Sequence, residues 1–174
     1  MIVAAFSGVG KSHFASLYPD VAIDFVCMPY KYILDTTAPH GEWSKADPNL
    51  VMRPEWPLNY VEAIKKLPSN KIILIPSDCR VLGHLASEGI PYFLCYPQKK
   101  AKKTYLKRYI KRDNSQNFIS IFIGDWKWFM KSLREDTFGK HIVMKPKQYL
   151  SDVLNIKAIL KGKKRVKYVD TSIR

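Results

Sequence analysis

The sequence predicts an α/β fold in which a mostly parallel sheet of about five strands lies between two layers of helices. Apolar runs alternate with helical patterns five times, as is typical of parallel sheets. Two of these runs, within 71–76 and 92–96, are continuously apolar, as expected of strands buried on both faces. No linker and no internal repeat is visible, so residues 1–174 are expected to form a single domain.

Each predicted element is bounded by residues that favour turns. Val61, Ile64 and Leu67 recur at a spacing of three, which predicts an amphipathic helix that ends at Pro68. Residues 28–58 are rich in Pro, Trp and Asp and predict a loop-dominated excursion. In chain order, strands are predicted at 1–5, 21–25, 71–76, 92–96 and 141–144, and helices at 11–17, 30–34, 58–67, 80–87, 100–112, 118–133 and 151–160.

The net charge of +14 is concentrated in two segments. Residues 99–112 contain eight basic side chains and no acidic one. Residues 157–174 contain seven basic side chains against Asp170 alone, and a short edge strand is predicted there at 165–169. The remaining residues balance to zero, which excludes a uniformly basic protein of the histone type.

Several protein classes are excluded by composition. No apolar run approaches 18 residues, and the first residues lack the pattern of a secretory signal, so no membrane partner is expected. Cys27, Cys79 and Cys95 are odd in number and lack paired spacing. This argues against a disulfide framework and a zinc site, and fits reduced thiols in a cytoplasmic protein.

The segment from Ala5 to Ser12, AFSGVGKS, is typical of a phosphate-binding loop. It follows a predicted strand and precedes a predicted helix, and its glycines allow backbone N–H groups to turn towards phosphates. Lys11 is predicted to reach the β- and γ-phosphates of ATP, and Ser12 to ligate Mg²⁺. The predicted nucleotide-binding residues are Ser7, Gly8, Val9, Gly10, Lys11, Ser12 and His13. Ala5 stands where the motif has its first glycine, and a chance turn before a helix is the alternative.

With the segment from Ala5 to Ser12 near its start, the chain resembles the small nucleotide kinases, which are the nucleoside monophosphate kinases related to adenylate kinase. It especially resembles their phage and prophage members. Beyond the loop, the resemblance extends through Ile23-Asp24, residues 56–60, Tyr96-Pro97 and residues 105–114, and covers roughly residues 1–135. It implies a P-loop domain that uses ATP and Mg²⁺. It also implies a lid after the fourth strand, here the basic helix at 99–114, whose arginines act in catalysis.

Arg108 and Arg112 lie four residues apart on this helix and therefore share a face. As lid residues they would neutralise charge in the transition state of phosphoryl transfer. Two alternatives stay open. The helix could present a solvated basic face, or it could bind nucleic acid, since lysines and arginines with Tyr105 and Tyr109 interleaved could follow a phosphate backbone.

Two carboxylates compete to serve the metal through bound water. Asp24 ends the second strand, and Asp78 follows the third, where capping of the next helix is the alternative. Both are candidate catalytic residues with Lys11. Tyr30, Arg53, Asn59 and Arg80 are the candidate acceptor-binding residues. Trp126, Trp128 and Phe129 are assigned to the core.

The expected function is transfer of a phosphoryl group from ATP to a small acceptor, with a (deoxy)nucleoside monophosphate favoured. The alternative is a nucleotide-binding protein that docks on nucleic acid through its basic segments.

Overall fold

The computed structural model describes residues 1–33 and 50–155. Five parallel strands form the main sheet in the order β2-β5-β1-β6-β7, and a two-stranded antiparallel sheet joins β3 to β4. The strands are β1 Ile2–Ala5, β2 Ala22–Asp24, β3 Tyr32–Ile33, β4 Val51–Met52, β5 Ile72–Pro76, β6 Tyr92–Pro97 and β7 Lys140–Met144. The predicted three-layer α/β/α fold is confirmed.

Helices connect the strands and flank the sheet. They are α1 Lys11–Leu17, α2 Met28–Lys31, α3 Leu58–Lys65, α4 Cys79–Ser87, α5 Lys102–Lys111, α6 Gln116–Gly124, α7 Trp126–Arg134 and α8 Leu150–Val153. A single 3-10 turn, Lys99–Ala101, precedes α5. None of the helices in the described ranges is both long enough and apolar enough to cross a bilayer.

The strand order places a binding crevice beside β1. This strand pairs with β5 on one side and β6 on the other. The chain leaves β1 towards β2, which lies at one edge of the sheet, and leaves β6 towards β7, which lies at the other edge. These two connections therefore run in opposite directions along the strand order. In open parallel sheets ligands bind at the carboxyl ends of the strands where the connections diverge in this way. The loop after β1 lies at that point.

The predicted helix at 118–133 is wrong as a single element. The structure has α6 and α7 with a break at Gly124-Asp125, because glycine is a poor helix former and Asp125 leaves the helical conformation. Trp126, Met130 and Leu133 lie on the buried face of α7. Trp128 falls on the opposite face and is 56% exposed, so its assignment to the core is also wrong.

Two other predicted elements shift. The short helix predicted at 30–34 lies at Met28–Lys31, because Pro29 favours the first turn of a helix. The last helix is observed only at Leu150–Val153, and residues 156–160 of that prediction lie outside the described residues. The basic segment 157–174 and its predicted strand at 165–169 lie outside them as well.

Phe6 anchors the start of the loop in the core. It is 1% exposed and packs against four rings, with centroid distances of 5.6 to 6.2 Å, supplied by Tyr105, Phe122, Trp126 and Phe129. Its amide donates to the Cys95 carbonyl at 2.9 Å, which extends the pairing of β1 with β6 by one residue. The loop therefore starts from a rigid base formed by the sheet and by α5–α7.

Candidate phosphate-binding site

The loop between β1 and α1 depends on two glycines that no other residue could replace without strain. Gly8 and Gly10 have φ angles of +81° and +95°. A Cβ atom on Gly8 would lie 2.8 Å from Cε1 of Tyr109, and one on Gly10 would lie 3.2 Å from Cδ1 of Tyr149. The backbone here needs both the left-handed conformation and the missing side chain.

Three consecutive carbonyl groups of this loop are bonded to groups outside it. The Tyr109 hydroxyl donates to the Ser7 carbonyl at 3.0 Å, and the Arg108 guanidinium donates to the Gly8 carbonyl at 3.1 Å. The Leu150 amide donates to the Val9 carbonyl at 2.9 Å. The amides of Gly8 and Gly10 have no acceptor among residues 1–33 and 50–155. The loop thus presents free N–H donors, as a site for phosphate oxygens requires.

The loop opens into a cleft of about 550 Å³. Its walls come from the loop, the start of α1, the end of α5 and the turn before α8. The lining residues are Ser7, Gly8, Gly10, Lys11, Ser12, His13, Arg108, Lys111, Arg112, Tyr149 and Ser151. Six of the seven predicted nucleotide-binding residues therefore lie together, and the seventh, Val9, is buried in the core beneath them.

Lys11 lies folded back over the loop. Its ammonium group donates to the Ala5 carbonyl at 2.9 Å, at the position where the motif departs from glycine. Burial lowers the pKa of Lys11 from its ordinary value. The Asp24 carboxylate opposes that shift, and the charge of Arg112 adds to it. Both charges therefore act on the Lys11 ammonium group.

The structure distinguishes the two candidate carboxylates. The Ser12 hydroxyl donates to Oδ2 of Asp24 at 2.5 Å. Oδ1 of Asp24 is buried and has no hydrogen-bond partner among the described residues. The Ser12 hydroxyl and the Asp24 carboxylate, whose Oδ1 has no partner, are the kind of hard oxygen donors that Mg²⁺ uses together with phosphates and water. No group of three or more His, Cys, Asp or Glu side chains lies together within the described ranges.

Asp78 is engaged elsewhere. It is the N-cap of α4, where it accepts from the Arg80 amide at 3.1 Å, and it pairs with Lys31 at 3.0 Å and with the Arg80 guanidinium at 3.3 Å. Burial alone would raise the pKa of Asp78, but the hydrogen bonds and charges of Arg80 and Lys31 hold it below the ordinary value. The capping alternative is therefore observed, and Asp24 is the better metal candidate.

Arg108 and Arg112 line the same cleft but differ in their exposure to solvent. Arg112 is exposed at the end of α5. Arg108 is 8% exposed and donates to three main-chain carbonyls. Tyr105 and Tyr109 are fully buried, so the two rings of this helix are not exposed to a nucleic acid.

Two of the predicted acceptor residues, Arg53 and Asn59, bond to carbonyl groups of the 28–33 segment, which carries the third, Tyr30. Arg53 donates to the carbonyls of Pro29 and Tyr32, both at 3.1 Å, and Asn59 donates to the Tyr30 carbonyl at 2.8 Å. Tyr30 itself packs on neighbouring rings. These contacts hold the 28–33 segment in place, and direct contact with an acceptor stays a prediction.

The fourth acceptor candidate, Arg80, lies in a cluster that the sequence did not define. Arg80 and Lys31 both lie over the Trp56 ring, at 5.8 and 5.4 Å from its centroid. With Asp78 between them, they place two positive charges against one negative charge at the end of β5.

Tyr149 was missed by the sequence analysis although it lines the cleft. A signal was available. In a parallel sheet the turn after the last strand lies at the same edge as the loop after the first strand. Tyr149 follows β7 in just such a turn.

No family model matches the chain, and no curated protein matches it either.

The pH dependence of stability should reveal the pairing of Asp78. Asp78→Asn retains a good N-cap residue and removes the charge. Because the folded-state pKa is lowered, the charged carboxylate stabilises the folded protein above its unfolded pKa, and this contribution is lost as pH falls through the folded pKa. We expect the variant to lose about 1–3 kcal/mol of unfolding free energy at pH 7 and to match the wild type in strong acid.

Urea denaturation at a series of pH values measures this difference. Glu62→Gln is the matched control, because Glu62 pairs with Lys65 on the surface and should cost less than about 1 kcal/mol. A difference for Asp78→Asn that does not change with pH would contradict the assignment.

Substitution of Gly8 tests the conformation of the loop. Gly8→Ala should destabilise the protein by about 1–3 kcal/mol, because it combines positive φ with a clash against Tyr109. Gly83→Ala is the control, since no atom lies within 4 Å of its Cβ position in α4, and it should gain about 0.5–1 kcal/mol. Thermal unfolding measures the stability of both variants. If Gly8→Ala were as stable as Gly83→Ala, the loop geometry would be refuted.

Proposed function

We propose that the protein transfers a phosphoryl group from ATP to a small acceptor, with a (deoxy)nucleoside monophosphate as the favoured acceptor. The contact between Ser12 and Asp24 carries the proposal, because a hydroxyl oxygen and a carboxylate that could hold Mg²⁺ meet at the residue after Lys11, next to the loop with the free amides. Without a metal ion, the negative charge of Asp24, whose carboxylate is 2.5 Å from the Ser12 hydroxyl, would repel a phosphate bound at this loop.

Each group has a defined part in this proposal. The amides of Gly8 and Gly10 and the Lys11 ammonium would bind the terminal phosphates. Ser12 and Asp24 would hold Mg²⁺, which neutralises charge on the phosphate oxygens when it is bound. Arg112, exposed in the same cleft, would stabilise charge that develops on the transferred group. Catalysis would rest on positioning and charge neutralisation, with no covalent intermediate.

The cluster of Lys31 and Arg80 supports an acceptor that itself carries a phosphate. Its two cations exceed the single charge of Asp78. The cluster follows β5, the strand between β1 and β2, and so lies at the same edge as the loop and Asp24. An uncharged alcohol would leave the excess positive charge without a partner.

Substitution of Lys11 or Asp24 should impair transfer. ADP release is expected only when ATP, Mg²⁺ and a nucleoside monophosphate from a screened panel are all present. Lys11→Ala and Asp24→Asn should each lower kcat/KM about tenfold or more, since both remove charge from the phosphate-metal site. A coupled assay of ADP release measures this.

Asp20→Asn is the matched control, because Asp20 is an exposed carboxylate in the turn before β2. Wild-type turnover by Lys11→Ala, or ADP release that no acceptor stimulates, would contradict the proposal.

A second candidate function is nucleic-acid binding, which is supported only by the unpaired positive charges of α5 and its C-terminal end. Lys102, Lys103, Lys107, Lys111 and Arg112 are exposed, and none has a carboxylate within 4.0 Å among the described residues. If this face binds nucleic acid, the affinity for a short DNA duplex should fall steeply with salt. Lys103→Gln combined with Lys107→Gln should then reduce the slope by about 2, because each lysine would neutralise one phosphate. Salt-independent or absent binding would eliminate this candidate.

A further inference from the structure

Arg108 is the buried charged residue of the described part of the chain. Its guanidinium donates to the carbonyls of Gly8 at 3.1 Å, Pro146 at 3.2 Å and Gln148 at 2.9 Å. Gly8 belongs to the loop after β1, and the other two acceptors belong to the turn between β7 and α8. One side chain of α5 therefore joins the two backbone segments that form the floor of the cleft.

Two aromatic rings hold the guanidinium in place. Its central carbon lies 3.9 Å from the centroid of the Tyr149 ring and 4.7 Å from that of Tyr105. Tyr149 also packs against Gly10, whose Cβ position is 3.2 Å from the ring. To reach into the cleft as a mobile clamp, Arg108 would have to break three hydrogen bonds and leave both rings. This geometry favours a fixed side chain.

The charge of Arg108 has no acidic partner. No carboxylate in residues 1–33 and 50–155 lies within 4.0 Å of it, although buried charges are usually paired. Three carbonyl groups and two rings surround the guanidinium instead, and none of them carries a negative charge. The charged side chains that line the same cleft, Lys11, Lys111 and Arg112, are all positive. A bound anion would supply the missing negative charge.

We propose that Arg108 is a fixed latch for the phosphate-binding loop: it bonds to the Gly8 carbonyl, joins the loop to the β7–α8 turn, and supplies a buried positive charge to the bound phosphates. This inference rests on the proposed function for the identity of the anion. It replaces the expectation that Arg108 moves with a lid and acts mainly on turnover. Arg108 is a positioning residue, and Arg112 is left as the exposed arginine of the cleft.

The latch predicts a loss of anion affinity. Arg108→Gln and Arg108→Lys should each weaken binding of inorganic tripolyphosphate and of ATP about tenfold or more in titration calorimetry. The lysine variant keeps the charge but cannot reach three diverging acceptors, so it should not restore wild-type affinity. Lys107→Gln is the matched control, because it removes one exposed positive charge from the neighbouring position on α5.

A second readout needs no ligand. The Leu150 amide is buried and donates to the Val9 carbonyl at 2.9 Å, so its hydrogen exchange reports on the junction that the latch holds. In Arg108→Lys this amide should exchange at least about tenfold faster, while the Ile73 amide in the centre of the sheet stays protected. Equal acceleration at both positions would indicate general destabilisation and would overturn the latch.

The outcomes separate the two proposals. Failure of the wild type to bind tripolyphosphate or ATP would refute the proposed function, and the Leu150 exchange would still decide the latch. Unchanged affinity with reduced turnover in the Arg108 variants would identify a mobile clamp. An equal loss in Lys107→Gln would assign the effect to long-range charge. If Arg108→Gln does not fold, Arg108→Lys carries both measurements.

Discussion

The site depends on the bonding of three successive loop carbonyls, those of Ser7, Gly8 and Val9, to groups outside the loop. The N–H groups of the same peptide units belong to Gly8, Val9 and Gly10. That of Val9 donates to the Phe6 carbonyl at 3.5 Å, and those of Gly8 and Gly10 are left without an acceptor among the described residues. The groups that hold the carbonyls come from α5 and from the turn before α8. The loop geometry is therefore a property of the assembled fold, and the eight-residue motif alone does not produce it.

The two carboxylates at the edge of the sheet show how the same residue type acquires different roles. Asp24 ends β2, which contacts α1, and this contact brings it to the Ser12 hydroxyl. Asp78 begins α4 and is satisfied by the helix amide and two cations. A carboxylate with an orphaned oxygen can accept a metal, whereas one with three donors is already neutralised.

Much of the fold follows from local pattern, because the strands within 71–76 and 92–96 are buried runs and the loop motif lies between a strand and a helix. The sequence could not show that Arg108 is buried, since its spacing from Arg112 is also that of a solvated helix face. The break at Gly124-Asp125 and the exposure of Trp128 were missed because aromatic content alone does not define a helix face. The choice between Asp24 and Asp78 required tertiary contacts.

The most direct test of the account is a titration of the isotope-labelled protein with Mg²⁺ and ATP, followed by amide chemical shifts. The account predicts that the Gly8, Gly10 and Lys11 amide protons shift strongly downfield, because each gains a charged acceptor. Core amides such as Ile73 should hardly move. Saturable ATP binding that leaves the Gly8 and Gly10 amides unchanged would contradict the central claim that this loop binds the phosphates.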